Sequence, residues 1–169
     1  MSRFFTETLS DLEPYVPGEQ PRDKKYVKLN TNESPFPPSD GVLRAVSEEV
    51  GRLQLYSDPE CTALREEMAK TYRLSPEWIV MSNGSDETLD MAFAAFADEK
   101  HPLVFPDITY GFYPVFARKH HIPFEEIPLT ADFSVRPEDY MGIGKTVVLA
   151  NPNAPTGKCL SLSEIEKIV

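Results

Sequence analysis

The segment Ser82–Glu87 separates two differently patterned stretches, and this change of pattern constrains the fold more than any other feature of the chain. The apolar, β-branched run before it favours a strand over residues 79–81. After it, apolar residues recur with helical spacing from Leu89 to Phe96. The Asn83-Gly84 pair between them is typical of a tight turn. The sequence therefore predicts a strand, a turn and the beginning of a helix.

The beginning of such a helix can bind an anion. Its first backbone N–H groups lack intrahelical partners and lie at the positive end of the helix dipole, so they can hold a phosphate without a cationic side chain. Gly84 would allow close approach of the backbone, and Ser85 would add a hydroxyl donor. The alternative needs no ligand: Ser85 caps the helix while Asp86 and Glu87 complement its dipole.

The composition of the chain excludes several classes of function. The chain has 169 residues, with 17 basic and 27 acidic side chains and a formal charge of -10, which argues against binding to nucleic acid or anionic membranes. Cys61 and Cys159 are far apart and lack metal-ligand spacing, which favours reduced thiols and a cytoplasmic location. No apolar run approaches the length of a membrane span, and the N-terminus lacks a signal-peptide core.

Strands alternate with helices along most of the chain. Residues 1 to 40 contain six prolines and predict an extended arm, with a short strand possible at Val27–Leu29. The alternation that follows predicts an α/β fold with a mostly parallel sheet and helices on both faces. The expected helices begin at Ser39, at Asp58, after Ser85, near Val115 and at Ser161 or Ser163, and the expected strands are 103–105, 124–129 and 146–150.

Three loops rich in polar and turn residues are expected at the carboxyl ends of strands: Asn83–Glu87, Pro106–Tyr113 and Asn151–Gly157. Ligands of open α/β sheets bind at these ends, so the loops should converge on one crevice. Backbone donors, the Tyr110 ring and asparagine amides would suit a phosphorylated planar heterocycle. Taken by itself, an aromatic residue such as Tyr110 is more often a core or surface residue than a stacking one.

Five motifs, taken in order, resemble those of histidinol-phosphate aminotransferase, a class I/II, fold-type-I enzyme dependent on pyridoxal 5'-phosphate (PLP). The resemblance runs from about Pro14 to the last residue. The motifs are Lys28-Leu29-Asn30-Thr31-Asn32-Glu33-Ser34-Pro35, Leu55-Tyr56-Ser57-Asp58-Pro59, Asn83-Gly84-Ser85-Asp86-Glu87, Thr109-Tyr110-Gly111-Phe112-Tyr113 and Asn151-Pro152-Asn153-Ala154-Pro155-Thr156-Gly157.

The resemblance implies a set of cofactor contacts. Amides and side chains of Ser85 and Asp86 would hold the PLP phosphate, and Tyr110 would stack on the pyridine ring. Tyr56 would reach the phosphate of the neighbouring subunit in a homodimer, although the sequence alone also suits packing beside a helix. The arm around Asn30–Pro35 would lie near the substrate.

The chain departs from the family pattern at Ala154, where the family usually has an asparagine that hydrogen-bonds the phenolic oxygen of the cofactor. Either Asn153 or Asn151 supplies this bond from a shifted loop, or the electronic properties of the cofactor differ. Asn153 is the candidate cofactor residue of this loop.

The chain also departs from the family pattern in its catalytic residues. The family's Schiff-base lysine, its acidic partner and its substrate-binding arginines lie beyond the Pro-Thr-Gly segment, and neither Lys145 nor Lys158 is at the lysine's position. No catalytic residue is therefore assigned. No metal site is expected either, because His120 and His121 are adjacent and lack a third ligand.

The resulting interpretation is the N-terminal portion of a longer aminotransferase. Residues 1–55 would form the arm and part of the small domain, and residues 56–169 the first half of a fold-type-I large domain with an incomplete sheet. The expected reaction is transamination between L-histidinol phosphate and 2-oxoglutarate in histidine biosynthesis. The alternatives are another class I/II PLP enzyme, such as an aromatic aminotransferase or a threonine-phosphate decarboxylase, or a non-catalytic fragment. A dinucleotide-binding module is disfavoured because no G-x-G-x-x-G motif follows a strand.

Overall fold

A computed structural model describes residues 3–4, 6, 18–19, 21, 23–24, 26–31 and 33–169. The described chain forms two compact units, divided between Met81 and Ser82. Residues 13–81 belong to one unit, and residues 1–12 and 82–169 belong to the other, as far as they are described. No helix in the described ranges is both long and apolar enough to cross a lipid bilayer.

Two α-helices and one short 3-10 helix organise the described part of the unit of residues 13–81. Helix α1 spans Asp40–Val50 and begins as expected at Ser39, whose hydroxyl accepts the Val42 N–H at 3.4 Å. Helix α2 spans Thr62–Tyr72, and a 3-10 helix spans Pro76–Trp78. The guanidinium group of Arg65 donates to the Pro76 carbonyl at 2.9 and 3.2 Å, which ties α2 to the 3-10 helix.

Helix α2 begins later than the Asp58-Pro59 pair predicts. The carboxylate of Asp58 does accept backbone N–H groups, from Glu60 at 3.0 Å and from Thr62 at 2.8 Å. Cys61 then adopts a left-handed conformation (φ 47°), which interrupts helical geometry before the helix proper begins at Thr62. Asp58 therefore organises a turn that leads into α2.

Two of the expected strands do not form. Ile79 is extended (φ -116°, ψ 122°), but residues 79–81 make no ladder with any described strand. Val27–Leu29 likewise forms no strand, and Val27 and Leu29 are largely exposed. A β-branched, apolar composition favours extended backbone, whereas a strand also needs a neighbour to satisfy its N–H and C=O groups.

A three-stranded parallel sheet lies in the unit of residues 82–169. Strand β1 (Leu103–Pro106) is central, with β2 (Phe124–Ile127) on one side and β3 (Thr146–Val147) on the other. Leu103 is in register with Phe124 and with Thr146, and both pairings are parallel. The expectation of a parallel α/β sheet is confirmed for this unit.

The outer strands are shorter than expected. Strand β2 ends before Pro128, which has no N–H to continue a ladder. Strand β3 covers two of the five residues expected, and those two are only half-buried, because β3 lies at the edge of the described sheet. The central strand is buried throughout, as its apolar sequence predicts.

Helices α3 (Ser85–Phe96), α4 (Tyr113–Lys119) and α5 (Leu162–Ile168) belong to the same unit, as does a 3-10 helix at Pro137–Tyr140. Helix α5 begins at the predicted capping box, in which Ser161 and Glu164 bond reciprocally. Aromatic residues from α3, α4 and β1 meet in the core. Its buried members are Phe93, Ala97, Leu103, Phe105, Tyr113, Phe116, Ala117 and Ile122.

Asp90 links α3 to α4 at the surface. Its carboxylate lies 2.6 Å from Lys119 Nζ and 2.7 Å from His120 Nε2. The hydrogen bond from Lys119, followed by that from His120, lowers the pKa of Asp90 below its ordinary value of 3.8. A lowered carboxyl pKa stabilises the fold above the ordinary value, and this contribution is lost as pH falls through the lowered value.

Replacing Asp90 with asparagine is therefore expected to lower the free energy of unfolding at neutral pH by about 1 kcal/mol or less. Below the carboxyl pKa the difference from wild type should shrink. Urea unfolding at several pH values measures this, with Glu99→Gln, an exposed residue outside the described ion pairs, as the control. A loss of equal size at acidic and neutral pH would contradict the linkage.

Candidate functional site

The turn before α3 has an unusual backbone conformation. Gly84 is the N-cap of the helix, with φ 81° and ψ 177°, a region that only glycine occupies readily. Ser85 is the first helical residue, so the prediction that Ser85 caps the helix is wrong by one position. No side chain caps α3 at Gly84, and within the described chain the Ser85 hydroxyl has no hydrogen-bond partner. The first turn therefore offers backbone donors and a hydroxyl together.

The two carboxylates of this turn both accept hydrogen bonds from the protein. Asp86 Oδ1 accepts the Tyr110 hydroxyl at 2.6 Å, and Glu87 Oε2 accepts the Asn83 N–H at 2.6 Å. An ionised carboxylate has no hydrogen to donate to an anion. A phosphate at this turn would therefore be met by backbone N–H groups and by the Ser85 hydroxyl, with Asp86 contributing its N–H alone.

Tyr110 lies on the loop that follows β1, and its hydrogen bond to Asp86 places it at the beginning of α3. The half-buried ring stacks on Phe112 with centroids 5.8 Å apart and contacts the edge of Tyr113 at 5.7 Å. The structure thus places Tyr110 beside Asp86. The loop after β1 and the turn before α3 therefore converge, as the sequence predicts.

Asn153 joins the third loop to the second. Its side-chain Oδ1 accepts the Thr109 hydroxyl at 2.7 Å, and Nδ2 donates to the Ile108 carbonyl at 2.9 Å and to Thr156 Oγ1 at 3.2 Å. The residue is 3% exposed. Two side-chain links, Asn153 to Thr109 and Tyr110 to Asp86, therefore connect all three loops.

The loop around Ala154 uses its asparagines internally. Asn151 exchanges two hydrogen bonds with the backbone of Leu160, at 3.0 and 2.9 Å. Both amide hydrogens of Asn153 go to protein acceptors. A direct bond from either side chain to a ligand stays a prediction, and the bonds that the structure describes hold the loop itself.

The remaining predicted positions lie in the other unit. The Tyr56 side chain is fully exposed, and Glu33 pairs with Lys28 at 2.5 Å. Asn32, in the arm motif, lies outside the described residues.

Two features of the site escaped the sequence analysis: the Thr109 hydroxyl and the bond between Tyr110 and Asp86. The only signal for Thr109 was its position beside Tyr110 in a loop after a strand.

The histidines and lysines considered in the sequence have other partners in the structure. Among the described residues no cluster of potential ligands could hold a metal ion, and His120 instead pairs with Asp90. Lys145 and Lys158 pair with Glu125 and Asp132.

Comparison with known proteins identifies the family. The family model described as aminotransferase class I and II matches residues 24–169. The chain belongs to this family. Curated relatives of this class I/II aminotransferase chain include the histidinol-phosphate aminotransferases of Marinomonas sp., 50% identical over 171 residues, and of Clostridium acetobutylicum, 45% identical over 170 residues. Both alignments cover 100% of this chain and 48% of the relative, so the chain spans about half the length of these relatives.

Solved structures agree on the fold. The histidinol-phosphate aminotransferase of Sinorhizobium meliloti, crystallised with pyridoxal-5'-phosphate, superposes with a TM-score of 0.81 at 24% identity. The superposition covers 98% of this chain and 47% of that one. The class I/II aminotransferase chain therefore has part of the fold-type-I transferase fold, which confirms the fold class expected from its motifs.

Proposed function

We propose that this chain is part of a PLP-dependent aminotransferase acting between L-histidinol phosphate and 2-oxoglutarate in histidine biosynthesis. The family, the names of the curated relatives and the five motifs support this proposal. The observation that carries it is the connection of three loops by two side-chain links, from Asn153 to Thr109 and from Tyr110 to Asp86.

The residues at the beginning of α3 fit a phosphorylated cofactor. The N–H groups of residues 85–87 and the Ser85 hydroxyl would hold the phosphate, with the helix dipole favouring its charge. A Cβ built on Gly84 meets no atom within 4 Å, so the backbone there is open to close approach. The ring of Tyr110, held next to this turn by Asp86, would stack on the pyridine ring.

Bound PLP would supply the electron sink that allows an amino group to be moved between substrates. The described residues of this chain would bind the phosphate and orient the ring. Asn153 belongs to the proposed cofactor residues with Ser85, Asp86, Tyr110 and Tyr56.

The partner proposal concerns Tyr56. In a homodimer it would reach the phosphate of the neighbouring subunit, and full exposure of its side chain in the single chain supports this.

We also propose a domain division and a location. Residues 1–55 would be the arm and small-domain segment, and residues 56–169 the first half of the large domain. Unpaired Cys61 and Cys159 support a cytoplasmic location.

Titration of the chain with pyridoxamine 5'-phosphate (PMP) tests the phosphate contacts. PMP lacks the aldehyde of PLP and cannot bond covalently to surface lysines. Saturable binding with changes in the backbone amide signals of residues 85–87 is expected in NMR spectra. Ser85→Ala should weaken binding about threefold to tenfold, because one net hydrogen bond contributes about 0.5–1.5 kcal/mol.

The control for this experiment is Ser163→Ala. Ser163 is also exposed and also lies in the first turn of a helix, α5, outside the proposed site. Its substitution should leave PMP affinity unchanged. Absence of saturable PMP binding by the wild-type chain, or binding that shifts no signal of residues 85–87, would overturn the proposal.

A further inference from the structure

Asn153 is the one buried polar or charged residue in the described part of the chain, at 3% exposure. We propose that it is a positioning residue for Tyr110, holding the loop after β1 so that the aromatic ring stays beside the proposed phosphate site. This inference rests on the proposed function and goes beyond it, because it assigns Asn153 a role exerted through the neighbouring loop.

The side-chain amide grips the two residues that immediately precede Tyr110. Nδ2 donates to the Ile108 carbonyl at 2.9 Å, and Oδ1 accepts the Thr109 hydroxyl at 2.7 Å. These contacts cross more than forty positions of sequence, so they fix the loop to a separate part of the chain rather than to itself. Donor and acceptor are both needed, which an amide provides and a carboxylate or an apolar side chain does not.

The backbone of Asn153 is held as firmly as its side chain. Its N–H donates to the Lys158 carbonyl at 2.8 Å, and its carbonyl accepts the Gly157 N–H at 2.7 Å. Nδ2 also donates to Thr156 Oγ1 at 3.2 Å. The position of Asn153 is therefore fixed by its own loop, and its side chain in turn fixes the position of the loop after β1.

The hydrogen bond from Tyr110 to Asp86 is a weaker support for the loop than the contacts of Asn153. The hydrogen bond from the Tyr110 hydroxyl to Asp86 is exposed, so water competes for both groups, whereas the bonds of Asn153 are shielded. Without Asn153, the Ile108 carbonyl and the Thr109 hydroxyl would lose this partner, and the loop backbone just before Tyr110 would lose its anchor, while the ring would keep its contacts with Phe112 and Tyr113 and its bond to Asp86. If the Tyr110 ring is already held in place, ligand binding does not have to order it, so the entropic cost of binding is smaller.

Asn153→Ala is expected to weaken PMP binding about threefold to tenfold, corresponding to the loss of about one net hydrogen bond. It should also reduce the induced circular dichroism of bound PMP, which reports a fixed aromatic ring beside the chromophore. Hydrogen exchange of residues 107–113, measured without ligand, should become faster than in the wild type, while exchange of β1 stays slow.

Two further sets of variants separate positioning from loss of structure. Asn151→Ala removes an amide of the same loop that bonds only Leu160 in the described contacts, and it should leave exchange of residues 107–113 unchanged. Thr109→Val removes the hydroxyl that donates to Asn153, and Thr109→Ser restores a hydroxyl. Valine should reproduce part of the Asn153→Ala effect, and serine should recover wild-type affinity and dichroism. This pair decides the question if Asn153→Ala does not fold.

The outcomes are distinguishable from those for the proposed function. A wild-type chain that does not bind PMP overturns the proposed function and this inference with it. A wild-type chain that binds PMP, with Asn153→Ala and Thr109→Val lowering only the melting temperature while affinity, dichroism and loop exchange match the wild type, overturns the positioning role alone.

Discussion

Replacing Phe93 with alanine is expected to lower the free energy of unfolding by about 3–5 kcal/mol, the range typical of a buried phenylalanine truncated in a core. Phe93 is 3% exposed and contacts the rings of Tyr113 and Phe116, with centroids 6.0 and 5.8 Å apart. These rings connect α3 to α4. Small domains have a total stability of about 5–15 kcal/mol, so this one change should remove a large part of it.

Phe96 provides a matched control on the same helix. It lies three positions further along α3 and is 74% exposed. Because little apolar area would be lost there, Phe96→Ala should change the unfolding free energy by about 0.5 kcal/mol or less. Urea unfolding followed by far-ultraviolet circular dichroism measures both variants. Equal losses at the two positions would contradict the packing described for α3.

Local chemistry made several elements predictable from sequence. Ser39 begins α1, and the reciprocal pair Ser161 and Glu164 begins α5, because a cap is formed by residues close together in the chain. The central strand was predictable as well, since the apolar run Leu103-Val104-Phe105 is typical of a buried strand, and the observed strand adds only Pro106. In each case the residues involved are neighbours in sequence.

Features that depend on distant partners were not predictable. Residues 79–81 have the composition of a strand, yet composition does not supply the neighbouring strand that a ladder requires. The same reason accounts for the shortness of β3, which has a sheet neighbour on one side only among the described strands. Burial of an apolar segment on both faces depends on elements that the segment does not specify.

In the candidate site, the grouping of the loops was predictable from sequence, but the side-chain contacts between them were not. The rule that loops at the carboxyl ends of parallel strands converge correctly grouped the Tyr110 loop with the Asn153 loop, and the structure connects them through Thr109. The Ser85 turn joins the same group although no strand precedes it. Which side chains meet could not be inferred, because the bond from Tyr110 to Asp86 spans 24 positions and depends on loop backbone geometry.

Gly84→Ala is expected to weaken PMP binding about tenfold to a hundredfold. At φ 81° and ψ 177° an alanine is strained by about 1–3 kcal/mol, and its Cβ meets no neighbouring atom within 4 Å, so the strain arises from the backbone itself. The turn can relieve this strain by rotating to ordinary dihedral angles. Rotation would move the N–H groups of residues 85–87 out of the arrangement proposed to hold the phosphate, and calorimetric titration with PMP measures the loss.

The control is Gly51→Ala, at a glycine with φ -68° that also has open space around it. Alanine adopts that conformation readily, so PMP affinity should stay at the wild-type value. The comparison isolates backbone conformation because both substitutions add the same methyl group to an uncrowded position. Wild-type affinity in Gly84→Ala would mean that the phosphate is held by something other than the backbone of this turn, and the assignment of Ser85 and Asp86 would then fail.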